Sequence, residues 1–231
     1  MNEIKLDDRL NDIVKKLPQS IDYFNKKDID YCCHGDDSLK IATEKRKLNQ
    51  DKILSELKEF IKENKSIKNL SIDEFKDKNT KDKISHIESY HHDIEREMLE
   101  DIDKLLSKIL LVHYKNHGYE LKETYTIFLQ IKGHLKAHLA KEEKITFPKF
   151  ENLDCENILS HIYDLEKEHE DMGDLIGNLK KVTKNFTPPK DACNTYKRAF
   201  SKLKELTEDI YLHIFKENSI LFKEIRRESL I

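Results

Sequence analysis

The chain has 231 residues, 38% of them charged, with 42 basic and 45 acidic side chains mixed along its length and a formal net charge of −3. That balance leaves no basic stripe for nucleic acid, and the longest unbroken aliphatic run, Ile109 to Val112, is far too short to cross a bilayer. Five glycines and four prolines interrupt little helix, so an all-α fold is expected. A charged N-terminal sequence, MNEIKLDDRL, and four cysteines that form no disulfide framework point to a soluble protein of the reducing cytoplasm.

Residues 1–61 read as a small helical, cysteine-containing domain. Its periodic apolar segments, 9–17, 20–25 and 52–61, surround the turn-like DYCCHGDDSL. Residues 62–83 are rich in lysine, asparagine, serine and aspartate around a short SIDEF and read as a linker or a loosely docked connection. Residues 84–231 resolve into four amphipathic helices with short connections, an up-down-up-down four-helix bundle.

The first bundle helix, about 84–113, has the stripe His92, Glu95, Leu99, Ile102, Leu106, Ile109, His113. After an Asn116-His117-Gly118 turn the second, about 120–147, has Phe128, Ile131, Leu135, His138, Glu142 and Ile145, and ends at Pro148. The third, about 157–183, turns inward Ile158, Ile162, Leu165, His169, Met172, Ile176 and Leu179. The fourth follows Pro188-Pro189 with Leu203, Leu206, Ile210, His213, Glu217 and Ile220. Each stripe carries polar side chains where leucines belong, and burying such groups without compensation costs on the order of 2–7 kcal/mol, more for a charge.

The pattern is duplicated. A shift of 75 positions superposes His138 on His213 and Glu142 on Glu217, with their apolar neighbours, and His92 and His169 stand 77 apart on the other two helices. Counted from the connecting turns at about 1.5 Å per residue, the four histidines lie in one layer. Four imidazoles and two carboxylates without a thiolate suit iron, manganese or zinc, and exceed what one ion needs. We therefore expect a dinuclear centre, iron above all, with His92, His138, His169 and His213 terminal and Glu142 and Glu217 bridging.

Other residues rank lower. His134 is read as a boundary or surface residue, and His113, about 31 Å of helical rise from His92, as belonging to the far end of the bundle. His86, His91, His117 and His161 are read as surface residues. Glu95 is open between an acceptor behind the ligands, an extra ligand, and a lysine partner. Cys32 and Cys33 are adjacent and too constrained for a relaxed disulfide; with His34 they would bind iron, exchange with a disulfide or react with nitric oxide, or else fill a small core. Cys155 and Cys193, near helix starts, are read as structural.

The segments YHHDIERE, HLAKEEKITFP, LEKEHEDMGDL and HIFKENSILF, with DIDYCCHGDDSL and TPPKDACNTYKRAF, resemble the di-iron iron–sulfur cluster repair proteins, the repair of iron centres family, over nearly the whole chain. The resemblance implies a cysteine-containing N-terminal domain before a hemerythrin-like bundle. It implies a non-haem di-iron site, carboxylate-bridged with an oxo bridge also open, on His92, His138, Glu142, His169, His213 and Glu217. The implied role is repair of clusters damaged by oxidants or nitric oxide, with iron donation as the means and damaged iron–sulfur proteins as partners. Binding, sensing or reduction of nitric oxide, or binding of dioxygen, is the alternative. Redox activity, a thiol role for Cys32 and Cys33, and a homodimer are left open; no nucleic acid or membrane is implied. His34 departs from the family, which usually has glycine after the cysteine pair.

Overall fold

The computed structural model describes residues 4–64, 70–151 and 157–229. Among these every regular element is helical, with one isolated bridge between Arg9 and Ser38. The chain divides into two compact units, Met1–Lys83 with Ile214–Arg227, and Ile84–His213 with Glu228–Ile231.

In the first unit, α1 (Leu10–Lys16), α2 (Ser20–Lys27), α3 (Leu39–Lys45) and α4 (Gln50–Glu63) bury Leu10, Val14, Phe24, Tyr31, Leu39 and Leu57. Helix α3 lies just beyond the cysteine turn, where no periodic stripe announces it; the Ser38 hydroxyl accepts the Ile41 N–H at its start, as the Asn49 side chain accepts the Lys52 N–H at the start of α4. The stretch 62–83, read from sequence as a linker, carries α5 (Leu70–Lys76) and the beginning of α6 (Thr80–Ile87), with Ile72 and Phe75 fully buried.

The end of the last bundle helix completes this unit. The rings of Tyr31 and Phe215 lie 5.8 Å apart, the Lys216 ammonium sits 5.3 Å from the Phe75 ring centre, and the buried Lys83 pairs with Glu224 at 2.8 Å. Between these contacts the cysteine turn is seated. Asp30 Oδ1 accepts the backbone N–H of Cys32 at 3.1 Å and of Cys33 at 2.9 Å; Asn218 donates to the Cys32 carbonyl at 3.3 Å, and Lys223 to Asp36 at 2.6 Å. The close backbone approach falls on Gly35, where a Cβ would stand 2.7 Å from the Tyr31 carbonyl oxygen, so His34 is accommodated without a glycine of its own.

In the second unit, α7 (Asp93–Lys141) is two helices joined at His117, whose φ of −131° and ψ of 16° break the helical run at the expected turn. The halves return on each other: the Tyr125 hydroxyl donates to Asp103 at 2.6 Å, Lys132 pairs with Asp103 at 2.5 Å and Lys136 with Glu100 at 2.7 Å. After α8 (Phe147–Glu151), α9 (Ile158–Val182) packs on α7, and α10 (Asn194–Lys216) brings the Tyr211 ring under Lys180 at 4.6 Å. The stripes read from sequence form the core, with Leu99, Ile102, Phe128, Ile131, Ile162, Leu165, Ile176, Leu203 and Leu206 all buried.

Three π-helical turns interrupt the bundle helices, Glu88–His92, Glu142–Thr146 and Glu217–Leu221. Each is closed by an N–H five residues on: Asp93 to Glu88 O, Phe147 to Glu142 O, and Phe222 to Glu217 O. Such turns concentrate at functional sites, and each of these begins or ends on an expected ligand. The extra residue shifts the helical phase. Ile145, expected on the inward stripe, is therefore 48% exposed, while Thr146 and Phe147 are buried. Nor does Pro148 end the second helix: it falls in α8, which continues directly from the π-helical turn.

Candidate metal centre

Within the second unit, Glu142 is the hub. His138 Nε2 lies 3.3 Å from its Oε1, and His92 Nε2 lies 3.3 Å from its Oε2. His169 Nε2 stands 3.1 Å from His138 Nε2, and His213 Nε2 is 4.0 Å from Glu142 Oε2. The carboxylate thus faces two groups of nitrogen donors, His92 with His213 and His138 with His169, and in each group the donor atoms lie within 4.8 Å of one another. All five side chains are buried. Glu217 follows His213 by one turn of the same helical run, opens a π-helical turn as Glu142 does, and is wholly buried.

The outer nitrogen of three imidazoles is held by a carboxylate. His92 Nδ1 lies 2.8 Å from Glu143, His138 Nδ1 2.8 Å from Glu168, and His213 Nδ1 3.1 Å from Glu95. A carboxylate only accepts, so Nδ1 carries the proton and the Nε2 lone pair points inward. Burial raises the Glu143 carboxyl, but hydrogen bonds from Arg96 and His92 outweigh it and hold the group below its ordinary value. The His138 hydrogen bond, helped by Lys141 against the cost of burial, brings Glu168 down to about 2. Glu95 thus serves as an acceptor behind His213. Glu143 and Glu168 were not singled out in the sequence; the available signal was a carboxylate adjacent to a ligand, Glu143 after Glu142 and Glu168 before His169.

A metal fits this arrangement. His92 Nε2 is buried without a hydrogen-bond partner and confronts a carboxylate oxygen, two acceptors 3.3 Å apart that repel unless a cation or proton lies between them. The 3.1 Å between His138 and His169 nitrogens is the spacing of neighbouring ligands at about 2.1 Å from one first-row ion.

His91, read from sequence as a surface residue, is fully buried; its Nδ1 lies 3.0 Å from Asp209, and its ring stacks on His213 at 5.2 Å. The π-helical turn that ends on His92 shifts the helical phase, and His91 is carried inward beside His92. His134 is exposed and His86, His117 and His161 are partly so, with His117 Nε2 2.9 Å from Asp191.

At the far end of the bundle, Cys193 is exposed rather than structural, 3.2 Å from His113 Nε2. The Tyr196 backbone N–H and then His113 pull its thiol down to about 7. Alkylation of Cys193 by iodoacetamide is expected to rise with pH to half its maximum near pH 7, and His113→Ala to move that midpoint up, as followed by mass spectrometry of the labelled peptide. Cys155 lies outside the described residues. Cys32 is buried and Cys33 half-buried, their sulfurs 3.8 Å apart. Burial first, then Cys33 and Asp30, push the Cys32 thiol well above its ordinary value, so it is no thiolate at neutral pH without a cation beside it.

Residues 82–225 match the hemerythrin HHE cation binding domain, and the chain belongs to that family of metal-binding helical bundles. Residues 6–60 match a domain of unknown function (DUF542). Nearly the whole chain is similar to proteins named iron-sulfur cluster repair protein. YtfE of Enterobacter sp. (strain 638) is 31% identical over 218 residues, 94% of this chain and 95% of the relative. ScdA of Staphylococcus epidermidis (strain RP62A) is 28% identical over 227 residues, covering 96% and 99%, and YtfE of Escherichia coli O81 is 30% identical over 218. Among the described residues no helix is long and apolar enough to cross a membrane.

Proposed function

We propose that this protein holds two iron ions in a carboxylate-bridged centre and supplies iron to damaged iron–sulfur clusters. The observation that carries the reading is Glu142, whose two oxygens face different imidazoles at the same 3.3 Å, as a bridge between two ions requires. Glu217, placed after His213 as Glu142 is after His138, is the second bridge, and His92, His138, His169 and His213 are the terminal ligands. Bound iron supplies Lewis acidity and a one-electron couple, and is also the cargo.

The protein's own residues set the conditions for release. Glu143, Glu168 and Glu95 fix the tautomers and ring positions of His92, His138 and His213. Glu168 is part-exposed, so displacement of that carboxylate reaches His138 from solvent. The cysteine turn is hydrogen-bonded through Asn218 to the helical turn that carries Glu217, which supports a role for the Cys32 and Cys33 thiols in the handover of iron. Similarity to the cluster repair proteins over both domains supports this role.

The test mixes iron-loaded protein, without oxygen, with an enzyme whose cluster nitric oxide has damaged. Activity is expected to recover several-fold faster than with the same amount of ferrous salt, and His138→Ala to lose that advantage. Cys32→Ser with Cys33→Ser is expected to keep its iron and slow recovery. Native protein no better than ferrous salt contradicts iron supply, and consumption of nitric oxide without iron transfer favours chemistry on the small molecule instead.

A further inference from the structure

Beside the imidazoles of the centre lies a second set of donors that the proposed ligand scheme does not use. A ring nitrogen of His91 and one carboxylate oxygen each from Glu95 and Asp209 lie within 4.8 Å of one another. His91 and Glu95 are wholly buried, and the Asp209 side chain is 20% exposed. Glu95 presents two different oxygens. Oε1 meets His213 Nδ1 at 3.1 Å, while Oε2 is buried with no hydrogen-bond partner. A buried carboxylate oxygen left without a donor costs about 1–3 kcal/mol, so a native fold that keeps one has a use for it. His91 Nδ1 and Asp209 Oδ2 stand 3.0 Å apart, a spacing that suits a shared proton and equally two adjacent ligands of one cation.

We infer that His91, Glu95 and Asp209 form a third divalent-cation site, separate from the dinuclear centre and coupled to it through Glu95. One imidazole and two carboxylates make a donor set harder than four imidazoles with two carboxylates, suited to ferrous or manganous ion more than to copper. Only three protein ligands are present and one is part-exposed, so solvent completes the coordination and the ion exchanges faster than those of the centre. Occupancy draws on the oxygen of Glu95 that the hydrogen bond to His213 leaves over, so the tautomer of His213 is kept. Given the iron-supply reading above, on which this last step rests, the site is the station where an iron ion waits beside the centre on its way in or out.

Manganous ion, which electron paramagnetic resonance counts directly while unbound, tests the site in metal-free full-length protein kept free of oxygen. The native chain is expected to take up two equivalents tightly and a third at least tenfold more weakly. Asp209→Asn, at a part-exposed position, is expected to retain the tight pair and weaken the third by tenfold or more; His91→Asn, a second and independent variant, should do the same. Saturation of the native chain at two equivalents, or a third equivalent unchanged in both variants, overturns the proposal. Failure of the dinuclear reading looks different: the tight pair is missing, while a weak equivalent sensitive to Asp209 remains.

Discussion

Glu142→Ala is expected to remove tight binding of both metal ions while leaving a folded chain. Its two oxygens face His138 and His92 at 3.3 Å, so one substitution withdraws a ligand from each ion. The effect on the metal-free protein is expected to be small. There Glu142 is a fully buried carboxylate beside His92 and His138, and truncation lifts the cost of burying its charge while withdrawing it from its imidazole neighbours, opposing effects of about 3–5 kcal/mol each. Metal-free Glu142→Ala is therefore expected to melt within about 3 °C of the metal-free parent, or above it. Calorimetry of both proteins, with and without ferrous ion, measures the four melting temperatures. A variant that gains as much stability from iron as the parent does contradicts the role of Glu142.

Stripping the metal from the native chain is expected to have the larger effect on stability. An ion that binds only the folded state stabilises it by about 4 kcal/mol when present at 1,000 times its Kd. In a chain of this size about 1 kcal/mol moves the melting temperature by about 2–4 °C, so removing two ions is expected to lower it by roughly 15–30 °C. The loss should concentrate in the layer of ligands, because the metal-free site leaves acceptors facing one another there. Hydrogen exchange is expected to speed up along 88–96 and 138–147, the stretches with π-helical turns at the ligands, before it does near His117 at the other end of the bundle. Uniform acceleration, or none, contradicts a metal-organised layer.

Much of this was legible in the sequence because the chemistry violates a periodic pattern. His138 and Glu142 stand on a stripe otherwise made of Phe128, Ile131 and Leu135, and the same violation recurs at His213 and Glu217. What was hidden depends on departures from the 3.6-residue period. The π-helical turns at Glu88–His92 and Glu142–Thr146 buried His91 and exposed Ile145, and no propensity signals where a helix will widen. Contacts between helices were hidden for another reason. Glu143 meets His92 and Glu168 meets His138 across the bundle, and spacing along one helix carries no trace of either. The seat of the cysteine turn on 215–223 joins segments some 190 residues apart in the chain, and the thiol–imidazole pair of Cys193 and His113 joins ends of two helices. The 62–83 stretch reads as a linker from its polar composition, and within it Ile72 and Phe75 are buried.

In the proposed centre one chain holds two iron ions bridged by carboxylate. Iron analysis of protein purified and loaded without oxygen, with X-ray absorption on the same sample, tests it most directly. Two tightly held irons per chain are expected, with an iron–iron distance of about 3.5–4 Å or somewhat less. A single iron per chain at saturation, or two without an iron–iron vector, would contradict it.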